Sequence, residues 1–63
     1  MRPVVLAPLH VDDAYVVRVI DDYDGDVIHD AEPRGSLAEA IEQARQELQP
    51  YERVVGTLEL EER

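Results

Sequence analysis

From Asp12 to Glu32 the chain carries eight carboxylates (Asp12, Asp13, Asp21, Asp22, Asp24, Asp26, Asp30 and Glu32) and one base, Arg18. That window holds −7 of a net charge of −9, in a chain of only 63 residues. Like charge at this density repels itself and opposes a compact state, while it speeds encounter with a cationic partner. So small a fold has little stability to spare, and the crowding invites a functional reading.

The length allows one domain, residues 1–63, near the lower limit for folding without staples. There is no cysteine, so disulfides and thiolate metal sites are excluded. Leu, Ile and Val supply 18 of the 63 residues, enough to separate the chain from disordered acidic tails. No apolar run approaches the roughly 20 residues that cross a bilayer. The opening residues 1–8 are too short and too broken by proline for a signal segment. The expectation is a cytoplasmic protein. Nucleic-acid binding rests on Lys and Arg neutralising phosphates. With no lysine and six scattered arginines, direct contact with nucleic acid or an anionic membrane is not expected. A basic protein surface is the natural complement.

Residues 4–11 are apolar and β-branched enough for a strand, but Pro3 and Pro8 remove ladder donors, which points to a sheet edge or a bulge. Asp12 and Asp13 form a turn into a second strand, 14–20. Alternation sets Tyr15, Val17 and Val19 on one face and Val16, Arg18 and Ile20 on the other, wetter one. Asp22, Tyr23, Asp24 and Gly25 signal a turn, and residues 26–30 give a short third strand paired with the second. Ser36 and Glu39 have capping-box spacing at the start of a helix. Leu37, Ile41, Ala44 and Leu48 share a helical stripe, with Ala40 beside it. Pro50 ends the helix. Residues 53–61 alternate, with Val54, Gly56, Leu58 and Leu60 inward and Val55, Thr57, Glu59 and Glu61 outward. The predicted fold is α+β, ordered β-β-β-α-β: a mostly antiparallel sheet with one helix packed on one face.

Catalytic and metal chemistry finds little support. An EF-hand loop needs acids at positions 1, 3 and 5, glycine at 6 and glutamate at 12. Started at Asp22, the segment puts glycine at position 4 and Pro33 at 12; started at Asp21, Tyr23 and Gly25 fall on ligand positions. His10 and His29 match no ligand spacing. Ser36 is better used as a cap, and Thr57 has no lysine to activate it. Paired carboxylates need a cleft that so short a chain can hardly form. No enzyme, cofactor or metal is expected.

The acids have a sharper geometric reading. Alternate residues of a strand lie about 6.6–6.8 Å apart on one face, close to the step between successive phosphates. Glu59 and Glu61 have that step by register, as a secondary acidic edge. Asp22, Asp24 and Asp26 have it only if their turn stays extended. A hairpin presenting Asp12, Asp13, Asp21, Asp22, Asp24, Asp26, Asp30 and Glu32 would then offer a false phosphate ladder to a nucleic-acid-binding protein. The plainer alternative is solvated loop acids that keep a small protein dispersed.

In its overall character (tiny, lysine-free, strongly acidic, one α/β domain) the chain resembles phage-encoded anti-defence proteins, the DNA-mimicking anti-restriction and anti-CRISPR class. Separately, the run from Tyr15 to Val19, the Asp24-Gly25 turn and the helix start from Ser36 to Ile41 resemble the core of HicB-type antitoxins. The first resemblance implies a monomeric, non-catalytic inhibitor that blocks DNA access to a CRISPR-type effector. The second implies a small dimerising regulatory module that masks a basic toxin. In that module residues 53–61 would pair edge to edge and bury Val55 and Thr57, opposed by Glu59 and Glu61.

Overall fold

Val4, Leu6, Val17 and Val19 are fully buried, and they come from two strands joined by a two-residue turn. A computed structural model describes all residues 1–63. It contains β1 (Arg2–Val11), β2 (Ala14–Asp21), β3 (Val27–Asp30), α1 (Leu37–Gln46), β4 (Glu52–Thr57) and β5 (Glu61–Glu62). The order is the expected β-β-β-α-β, with a two-residue β5 prolonging the last strand. The sheet runs β3-β2-β1-β4, and β5 also pairs with β1. β1–β2 and β2–β3 are antiparallel, while β4 and β5 lie parallel to β1.

The prolines suggested an edge position for β1, yet β1 is the central strand. The Leu6 and His10 carbonyls accept from the Leu58 and Arg63 amides at 2.8 and 3.0 Å. Pro8 lies midway between them, so alternation turns its missing donor toward the same neighbour. The neighbouring ladder is interrupted there: residues 58–60 belong to neither β4 nor β5. A proline is thus tolerated centrally because the strand beside it lets go. The expected bulge does exist, but on β4. Register passes from Val4↔Val54 to Val5↔Gly56, leaving Val55 over.

The bulge and the break at 58–60 also correct the expected single strand 53–61. Gly56 and Leu58 are both expected inward, yet Gly56 pairs with Val5 on the face away from α1 and Leu58 is 54% exposed. Strict alternation cannot survive a shift of register, because each one-residue slip moves the following side chains to the other face.

α1 starts as expected. Ser36 is extended (φ −141, ψ 157), its Oγ accepts from the Glu39 amide at 3.2 Å and donates to Glu39 Oε1 at 2.9 Å. The end differs. The helix stops at Gln46, before Pro50 is reached. Glu47 N–H is shared between the Gln43 and Ala44 carbonyls, and the Leu48 amide bonds the Arg45 carbonyl, so the last turn tightens.

Ala40 and Ala44 let the helix approach β2 and β1 closely, and with Ala31 they complete the core around the four strand residues. Tyr15, Ile28, Ile41, Leu48 and Val54 pack against its rim. Burying each large aliphatic side chain stabilises by about 1.5–3 kcal/mol. With so few of them, the chain has small reserves. No helix is long and apolar enough to cross a membrane.

Candidate functional site

Asp12 and Asp13 form the tip between β1 and β2, closed by the Val11↔Ala14 pair. Both have positive φ, 50 and 64 degrees, the pattern of a type I′ turn. Asp tolerates this region but Asn and Gly suit it better. Both side chains are exposed and make no ion pair.

Asp22, Asp24 and Asp26 occupy the turn between β2 and β3 together with Asp21. Asp21 Oδ1 accepts from the Tyr23 and Asp24 amides at 2.8 and 3.4 Å, and Asp24 Oδ1 from the Asp26 amide at 2.9 Å. Gly25 at φ 79 reverses the chain. The segment is therefore wound tight, not extended, and the regular two-residue step needed for a phosphate ladder is absent from it. Glu59, in the break between β4 and β5, is likewise off any strand.

The expected acids do not gather at one end. β2 separates the two turns by its eight residues, roughly 25 Å at about 3.3 Å per residue. Asp12 and Asp13 hold one end; Asp22, Asp24 and Asp26 hold the other. Three more of the eight are paired: Asp30 with Arg18 (2.9 Å), Asp21 with Arg2 (3.5 Å) and Glu32 with Arg34 (3.8 Å). Along the β5 edge, Glu61 pairs with Arg63. The hydrogen bond from Arg18 holds the Asp30 carboxyl below its ordinary range and raises the guanidinium in turn. Glu47 is also lowered, chiefly because it accepts the Glu32 backbone N–H, and then a Gln43 N–H.

His10 and His29 do not meet. His10 stacks on Tyr15 at 4.3 Å and its Nδ1 lies 2.7 Å from Glu62, whereas His29 neighbours Glu47 at 3.4 Å. No three His, Asp or Glu side chains converge to hold a metal ion. The surface has no pocket.

Sequence reasoning missed two features. Tyr23, 92% exposed between Asp22 and Asp24, puts an aromatic ring at the centre of the acidic turn. The second is the sheet face away from α1, where Val5, Leu9, Val16 and Ile20 lie. Its signal was available: residues 4–9 are apolar at every position, which marks a strand with two apolar faces. Neither a protein-family model, nor a characterised protein, nor a solved structure matches this chain.

Proposed function

We propose that this protein is a non-catalytic inhibitor that covers a basic, nucleic-acid-binding surface of a defence effector of the CRISPR type. The observation that carries the reading is the set of five unpaired carboxylates, Asp12, Asp13, Asp22, Asp24 and Asp26, held at the two ends of one hairpin strand. Stability does not call for them. Asn-Gly would suit the 12–13 turn better, and Asn would cap the 21–26 turn equally well. Charge placed where neutral residues would serve the fold as well or better is best explained by a cationic partner. The mode differs from a continuous phosphate ladder: two anionic points about 25 Å apart would engage arginines and lysines at two separated positions. Competition with DNA for those groups would weaken with salt.

The test replaces all five by asparagine, which removes the charge and retains both turns. Binding of labelled duplex DNA by a CRISPR effector complex is measured by anisotropy with each protein, at low and high salt. Inhibition by the wild type that fades with salt and is lost in the folded variant supports the proposal. Undiminished inhibition by the variant refutes it.

A second reading, a dimerising antitoxin-like module, is favoured by one observation: β4 is an outer strand whose Val55 is 45% exposed. Glu59, Glu61 and Glu62 along the same margin oppose such pairing. A dimer in sedimentation equilibrium at micromolar concentration would favour this reading over the first.

A further inference from the structure

α1 covers one side of the sheet only, and the opposite side has no layer over it. Register sets Val27, Ile20, Val5 and Gly56 side by side across four strands of that uncovered side. Two residues further along, Arg18 and Asp30 stand beside Ala7, and beyond them Val16 stands beside Leu9, which is only 6% exposed and has Glu61 on its other side. Val5, Val11, Val16 and Ile20 neither belong to the buried cluster nor pack against it. Above Gly56 a Cβ would meet no atom within 4 Å, so the space over the sheet is open there. Val27 is more than half exposed.

We infer that this sheet face is a docking surface for a protein segment with an apolar ridge flanked by arginine or lysine. The inference rests on the reading above and adds the contact that charge alone does not supply. Charge complementarity selects the occupant. The face is bounded by Asp12 and Asp13 at one end and by Asp22, Asp24 and Asp26 at the other, while the charges within it, Arg18 with Asp30 and Glu61 with Arg63, neutralise each other in pairs. A second copy would bring another −9 against these ends, and like-charge juxtaposition across an interface is strongly unfavourable. A neutral apolar partner would leave both acidic ends without counter-charge. An apolar centre with charged flanks matches the usual anatomy of a protein interface, where the centre excludes water and the rim steers.

The probes are three synthetic peptides of equal length: alternating valine and arginine, oligoarginine, and alternating valine and serine. Methyl-resolved NMR of the intact protein follows Val5, Val16, Ile20 and Val27 during titration. The valine-arginine peptide is expected to shift these methyls and to bind at least about tenfold more tightly than either control, equivalent to about 1.4 kcal/mol. Gly56→Trp fills the open space and should weaken that peptide about tenfold with the thermal midpoint retained. Val16→Ser, which removes apolar area without adding bulk, should weaken it several-fold. Equal binding of oligoarginine without methyl shifts overturns the inference and leaves the electrostatic reading intact. Equal binding of the valine-serine peptide, or methyl shifts produced by self-association alone, also overturns it. Methyl shifts with the valine-arginine peptide, alongside no effect on any nucleic-acid-binding protein, would instead sink the proposed inhibition and spare the docking face.

Discussion

Arg18 of β2 and Asp30 of β3 lie opposite one another in register, Nε to Oδ1 at 2.9 Å and Nη2 to Oδ2 at 3.4 Å. The two parallel bonds tie the short third strand to the hairpin on the uncovered face. Because the hydrogen bond from Arg18 lowers the Asp30 pKa in the folded state, the pair stabilises most above the ordinary aspartate value of about 3.9. That contribution is lost as pH falls through the depressed folded value. Asp30→Asn should therefore lower the urea midpoint modestly at pH 7, and the gap from wild type should narrow as the pH falls below the ordinary aspartate value. A gap that stays the same size throughout that acid titration would show that the carboxylate charge is not what matters.

The tip at Asp12 and Asp13 gives the opposite sign. Both residues sit at positive φ, where Asn-Gly is the preferred pair. Asp12→Asn with Asp13→Gly should raise stability by about 1 kcal/mol, the usual gain from turn optimisation, measured by urea denaturation at neutral pH. The same change should weaken binding to a cationic partner. Stability and binding moving in opposite directions would identify the turn as one kept for function.

Most of the architecture was legible because local rules governed it. Strand alternation placed Val17 and Val19 in the core, and the Ser36–Glu39 spacing placed the helix start. What stayed hidden depended on partners distant in sequence. Nothing in residues 53–61 reveals that Pro8, far away in the chain, withholds a donor from them. Hence neither the break at 58–60 nor the outward Leu58 could be read locally. The acidic window reads as one patch because its residues are close in sequence, yet an extended strand carries its two turns to opposite ends. The uncovered face was obscured by Arg18, whose charge suggested a wet surface although Asp30 neutralises it.

Leu6 and Leu58 separate these levels experimentally. Leu6 is fully buried between β2 and the β4 side, whereas Leu58 is more than half exposed. Leu6→Ala should cost about 3 kcal/mol from lost burial and the cavity left behind, enough to leave so small a domain largely unfolded at 37 °C. Leu58→Ala should shift the midpoint by less than about 0.5 kcal/mol. Circular dichroism melts of the two variants decide the matter, since uninterrupted alternation through residues 53–61 predicts comparable losses.

Arg2 and Glu52 join the start of β1 to the start of β4. The Glu52 side chain is only 1% exposed. Its Oε1 accepts from the Gln49 amide at 2.8 Å, but Oε2 has no hydrogen-bond partner, and the nearest positive charge is Arg2 Nη1 at 3.8 Å. Arg2 is held over the Tyr51 ring at 5.7 Å and also faces Asp21 at 3.5 Å. A buried carboxylate tolerates loss of its counter-charge badly, although the solvent reaching Arg2 softens the effect. Arg2→Met should therefore destabilise by about 1–2 kcal/mol. Adding Glu52→Leu removes the stranded charge and should recover most of that loss, because an apolar pair of similar volume often matches or exceeds a buried ion pair. Strict additivity of the two single changes in a double-mutant cycle would mean that Arg2 stabilises the strand junction through Tyr51 and Asp21 instead.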